Sequence, residues 1–159
     1  MIEQEKSRPG WNSALTQKEK SAVQRSVSAL LSTLAPERVV KRGDDVRQRI
    51  EQHRTPRGCV LQAVRAALSV SWFSDNRVDS LGELHVSVWD GVVSRGGASY
   101  RKAAHATLVS QRIMYPIEAT VDGATWRDEN GKLFDTAGLV ELCHGLLETQ
   151  IAQAARAAQ

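Results

Sequence analysis

Two stretches alternate apolar and polar residues with a period of two, and they limit the possible folds more than any other feature of the chain. In VRAALSVSWF, Val64, Ala66, Leu68, Val70 and Trp72 share one parity, and Arg65, Ala67, Ser69 and Ser71 the other. In ELHVSV, Leu84, Val86 and Val88 oppose Glu83, His85 and Ser87. A two-residue period predicts strands with one buried and one solvated face. The polar connector SDNRVDS between the stretches makes them antiparallel neighbours.

Helical patterns flank this centre. Thr16 and Glu19 have the spacing of a capping box, and Val23, Val27, Leu30, Leu31 and Leu34 then form an apolar stripe. Ala35-Pro36 ends that helix, which is expected over about 17–34. A short second helix is expected over about 44–53, capped by Asp44 or Asp45, with Val46 and Ile50 on one side. At the other end, Asp135 can cap a helix over about 136–153, with Phe134 and Leu139 as a hydrophobic staple and Leu139, Leu142, Cys143, Leu146, Leu147 and Ile151 as its stripe. The alanine-rich tail beyond Ile151 offers little apolar cover and is expected to fray.

The sheet is expected over about 60–134. Its first part is ambiguous, because CVLQAVRAAL suits a helix as well as a strand. Asp90-Gly91 reads as a hairpin turn or as a bulge within one long strand. Pro116 fits an edge or a bend better than a central strand. Asn130-Gly131 is the plainest hairpin signal and predicts a type I′ turn. The order helix, short helix, four or five strands, helix predicts an α+β two-layer sandwich, an antiparallel sheet packed against N-terminal and C-terminal helices. One domain is expected over 14–159, after a flexible arm over 1–13 that contains the Pro9-Gly10 turn signal and Trp11.

Composition narrows the function classes. No window has about eighteen consecutive apolar residues, so no membrane span is expected, and the polar start MIEQEKSRPGW does not resemble a secretory signal. Cys59 and Cys143 lack CxxC spacing and suit free thiols in a cytoplasmic protein, or a single disulfide. Neither HExxH nor paired ligand spacing occurs among His53, His85, His105 and His144, so no metal is expected. RGGASYRK lacks both nucleotide-loop spacings, so no cofactor is expected either.

Three function classes remain. Net charge is +3, but residues 1–58 alone carry +5, with 12 basic and 7 acidic side chains. Lys41, Arg42, Arg47, Arg49, Arg54 and Arg57 therefore suggest a nucleic-acid partner for the front helices, although acidic residues interrupt the run. The polar parity of the sheet carries His85, Ser87 and Trp89, with Arg95, Arg101 and Lys102 in the following glycine loop. These six are the candidate binding residues for a small molecule, or for chemistry in which His85 acts as a base. The reading that accommodates four Trp, an amphipathic last helix and a polar sheet face is a non-enzymatic binding or adaptor module acting through protein contacts as a homodimer.

Overall fold

The computed structural model describes residues 2–34, 39–42, 46–74, 81–93, 105–120 and 123–157; of these, 2–17, 39–42, 46–49, 105 and 120 are described by backbone only. Helix α1 spans Ile2–Thr33. Strands β1 (Val39–Arg42) and β2 (Val46–Arg49) form a two-stranded ladder. A seven-stranded sheet follows in chain order: β3 (Glu51–Thr55), β4 (Gly58–Gln62), β5 (Ala66–Phe73), β6 (Glu83–Val92), β7 (His105–Thr120), β8 (Gly123–Arg127) and β9 (Leu133–Phe134). Each strand pairs antiparallel with the next. Helix α2 spans Thr136–Ala157.

The α+β class holds, but the sheet has seven strands rather than four or five: six lie from Gly58 to Phe134, and β3 adds a seventh where the short helix was expected. Val46 and Ile50 are too few apolar residues to define a helical period, and pairing with β4 decides the conformation of residues 51–55. The Thr55-Pro56-Arg57-Gly58 segment turns β3 into β4. Pro56 takes the second position of the turn and Gly58 the fourth, and the Gly58 amide donates to Thr55 Oγ1 at 3.0 Å. A Cβ on Gly58 would lie 1.8 Å from the Val70 carbonyl oxygen, so the close approach to β5 requires glycine there.

The opening alternation holds from Ala66 onward. Ala66, Leu68, Val70 and Trp72 are buried on one face of β5, and Leu84, Val86 and Val88 on the same face of β6. Val64 is not part of the strand. It lies in the β4–β5 turn, closed by the Ala63 amide donating to the Ala66 carbonyl, and is 67% exposed. Gln62 braces this corner. Its Nε2 donates to the carbonyls of Ala63, Ala66 and Gly91, and its Oε1 accepts from the Val93 amide. Asp90-Gly91 continues β6 rather than turning it. The irregularity falls between Val88 and Trp89, where β7 carries Val109 as an extra residue. Pro116 lies beyond the last β6–β7 pair, Leu84–Met114, so its missing N–H interrupts no β6 ladder.

Both helices pack on the apolar face, α1 against β7 and β8, α2 against β5, β6, β8 and β9. Val23, Val27, Leu30, Leu31 and Leu34 of α1 meet Leu139, Val140, Cys143, Leu147 and Ile151 of α2 in one core with the sheet. Each fully buried leucine contributes roughly 1.5–3 kcal/mol of apolar transfer. Trp72 and Trp126 meet edge to face at 6.0 Å and 85° within it. Helix α1 runs on through Thr16 and Glu19 and through Pro9-Gly10, so neither the expected cap nor the expected turn is present. The cap of α2 is as expected, with the Gly138 amide donating to Asp135 Oδ1 at 2.7 Å. Ile151 and Ala154 are buried, so the tail is covered further than anticipated. The hairpin at Asn130-Gly131 forms, but its loop has three residues closed by Asp128 and Lys132, with Gly131 at φ 90°. That is a type I turn with a glycine bulge, not type I′.

Candidate binding face of the sheet

With both helices on one side, the opposite parity of β3 to β7 forms a face that neither helix covers. The register arranges its residues in rows. One row runs Thr55, Gly58, Ser71, His85, Ile113, and the next runs His53, Val60, Ser69, Ser87, Gln111. A third joins Glu51, Gln62, Ala67, Trp89 and Leu108. The expected residues His85, Ser87 and Trp89 therefore share this face, on which Val60, Ala67 and Ser87 are buried and His85 and Trp89 half-buried. Adjacent strands lie about 4.8 Å apart, and same-face residues on one strand about 7 Å apart.

The side chains are cross-linked. His85 Nε2 is 2.9 Å from Glu83 Oε1, with the imidazole 25% exposed. An ionised carboxylate only accepts, so the Nε2–H of His85 is the donor in this contact. The ring packs on Phe73 at 4.6 Å, and the Arg57 guanidinium covers Phe73 at 4.6 Å. Trp89 Nε1 donates to Ser69 Oγ at 3.0 Å, and Gln111 Nε2 donates to Ser87 Oγ at 3.0 Å. The floor between these groups is small and hydroxylic: Ser69, Ser71 and Ser87, beside Ala67.

A second carboxylate–imidazole pair lies on the same face, with His53 Nε2 3.2 Å from Glu51 Oε1 on β3. Sequence reasoning missed it because His53 was placed on a helix. The signal was present: Glu51-Gln52-His53 and Glu83-Leu84-His85 share the Glu-x-His spacing that puts both side chains on one face of a strand. Phe73 and Gln111 were also missed, because cross-strand neighbours depend on register.

The other predicted residues are placed differently. Arg95, Arg101 and Lys102 lie outside the described residues. Lys41, Arg42, Arg47 and Arg49 belong to β1 and β2, described by backbone only, and the helix pair that would have carried them as a nucleic-acid module is absent. Arg54 is exposed on edge strand β3, and Arg57 covers Phe73. Among the described residues, no group of three or more His, Cys, Asp or Glu could hold a metal ion, and no helix is long and apolar enough to cross a membrane.

Cys59 and Cys143 are free thiols buried in the core. Burial pushes the Cys59 thiol up to about 11, against smaller lowering effects from a Gln52 hydrogen bond and the Arg54 charge. Burial, with a smaller contribution from Cys59, pushes Cys143 up to about 12. Neither has the depressed pKa of a nucleophilic thiol. Comparison with protein-family models, curated proteins and solved structures gives no match.

Proposed function

We propose that the protein is a non-enzymatic binding module that acts through protein–protein contacts as a homodimer. One observation carries this reading. Thr107–Gln111 is exposed along five consecutive residues of a strand, and Leu108 and Val109 within it are 46% and 48% exposed. Adjacent half-exposed apolar side chains on a strand support the reading that another chain covers this surface. Light scattering tests the reading directly: a molar mass near twice the 17.5 kDa of one chain is expected, and a mass of 17.5 kDa at every concentration refutes it.

A second reading has its own support in the Glu83–His85 pair beside Phe73 and Ser71. Here the half-buried His85 end of this face holds a small polar ligand, and His85 Nδ1 accepts a proton or a hydrogen bond from it. Ligand-screening calorimetry tests it, with binding lost in His85→Ala. Ligands that bind equally well to His85→Ala would rule this site out.

A further inference from the structure

We infer that the outer edge of β7, from Leu108 to Gln111, pairs antiparallel with the same edge of a second copy, extending the sheet across a two-fold axis. This names the partner and surface of the proposed homodimer and rests on that reading.

The edge is open because β7 is longer than its neighbour. Strand β8 pairs with β7 only from Tyr115 to Thr120, while β6 pairs with it from His105 to Met114. Among the described residues, no strand pairs with the outer side of Ala106–Arg112.

The direction of the backbone groups follows from the ladders. Gly91 donates its N–H to the Arg65 carbonyl on the β5 side. By alternation Trp89 also turns its backbone towards β5, so Leu108, paired with Trp89, turns its own N–H and C=O away from β6. Beyond the bulge, the Ile113 N–H points away from β6 to Glu129 Oε1 at 3.4 Å. Gln111, two residues earlier, points the same way. The edge thus presents outward groups at Leu108 and Gln111. A two-fold axis between Val109 and Ser110 sets Leu108 opposite the partner subunit's Gln111, and Gln111 opposite the partner subunit's Leu108. Both pairs then meet with outward-facing donors and acceptors.

Chemistry favours a second copy as the occupant. Natural sheet edges resist self-pairing with Lys, Pro, or charges that would face each other. Ala106–Arg112 contains no Lys and no Pro, and its one charged residue, Arg112, is directed to Asp128 Oδ2 at 4.0 Å. In the inferred register Arg112 faces the partner subunit's Thr107, so no like charges oppose each other. The bulge at Val109 is the edge's one protective irregularity, and the axis falls beside it. A pairing this short buries less than the roughly 1,600 Å² of a standard interface, so the dimer is weak and concentration-dependent.

Sedimentation equilibrium over a micromolar-to-millimolar series tests the inference, with circular dichroism and thermal melts as fold controls. Gln111→Pro removes an outward N–H without removing a β6 hydrogen bond, and Leu108→Lys adds a charge at the edge. Each is expected to weaken dimerisation by about tenfold or more with the fold intact. Leu133→Lys, at an exposed site on β9, is expected to dimerise like the parent chain. If Gln111→Pro does not fold, Leu108→Lys answers the same question. A dimer unchanged in the folded edge variants overturns the edge pairing and leaves the homodimer standing. A parent chain that stays monomeric throughout the series overturns both.

Discussion

The side-chain amide of Gln52 donates to the carbonyl of Leu34 at 2.9 Å, and the same nitrogen donates to Leu31 at 2.9 Å. An edge-strand residue thus satisfies carbonyls that α1 cannot bond within itself at its C-terminal end. Replacing Gln52 with Leu leaves both without this donor. We expect a loss of about 1–3 kcal/mol in urea unfolding, with faster amide exchange confined to the last turn of α1. Unchanged exchange there would show that the contact is incidental.

Gly58 gives a steeper expectation. In Gly58→Ala the new Cβ would lie 1.8 Å from the Val70 carbonyl oxygen, and backbone cannot rotate away as a side chain can. The turn between β3 and β4 must shift, at a cost of about 2–3 kcal/mol or more. Denaturant titration reads this directly, and a change under about 0.5 kcal/mol, typical of neutral surface sites, contradicts it.

Gln62 joins three segments through one buried amide. Gln62→Ala strands the Val93 amide and removes the donor to Gly91. The expected cost is about 2–3 kcal/mol, with added mobility at the end of β6, visible as lost amide protection at Val93. Gln62→Glu keeps the acceptor but removes the donor, so it should protect Val93 better than alanine does.

The thiols predict a pH dependence. Folding raises both above the unfolded value near 9, so between that value and about 11 to 12 the folded chain holds protons that the unfolded chain has released. This contribution is fully present below pH 9 and is lost as pH rises through that window. Stability of the Cys59→Ala/Cys143→Ala double variant should fall less between pH 8 and 11 than that of the parent chain. Native protein at pH 8 should react slowly with a thiol reagent, and both cysteines should react once it is unfolded.

Where sequence alone was informative, one local signal sufficed. Leu84, Val86 and Val88 fixed a buried face by parity, and Asp135 marked a helix start through its carboxylate. Where two conformations shared the same residues, the sequence could not choose. Val46 and Ile50 lie four apart, a spacing that puts them on one face of a helix and also on one parity of a strand. The ladders of β2 with β1 and of β3 with β4 decided against the helix, and both draw on residues outside that window. The candidate face was half legible for the same reason. His85, Ser87 and Trp89 follow from one strand's alternation. Phe73, Arg57, Gln111 and His53 join them only because neighbouring strands are in a particular register. That register depends on turns at Pro56 and Val64 and on the extra residue at Val109.

Helix α1 precedes every strand it packs on. Its neighbours β7 and β8 are among the last parts of the sheet to be made. On the ribosome, at roughly 5–20 residues per second, the stripe from Val23 to Leu34 would wait several seconds for its cover. During that interval the nascent chain carries an apolar stripe with nothing yet made to bury it, so the first half of the chain is the most aggregation-exposed part of its synthesis.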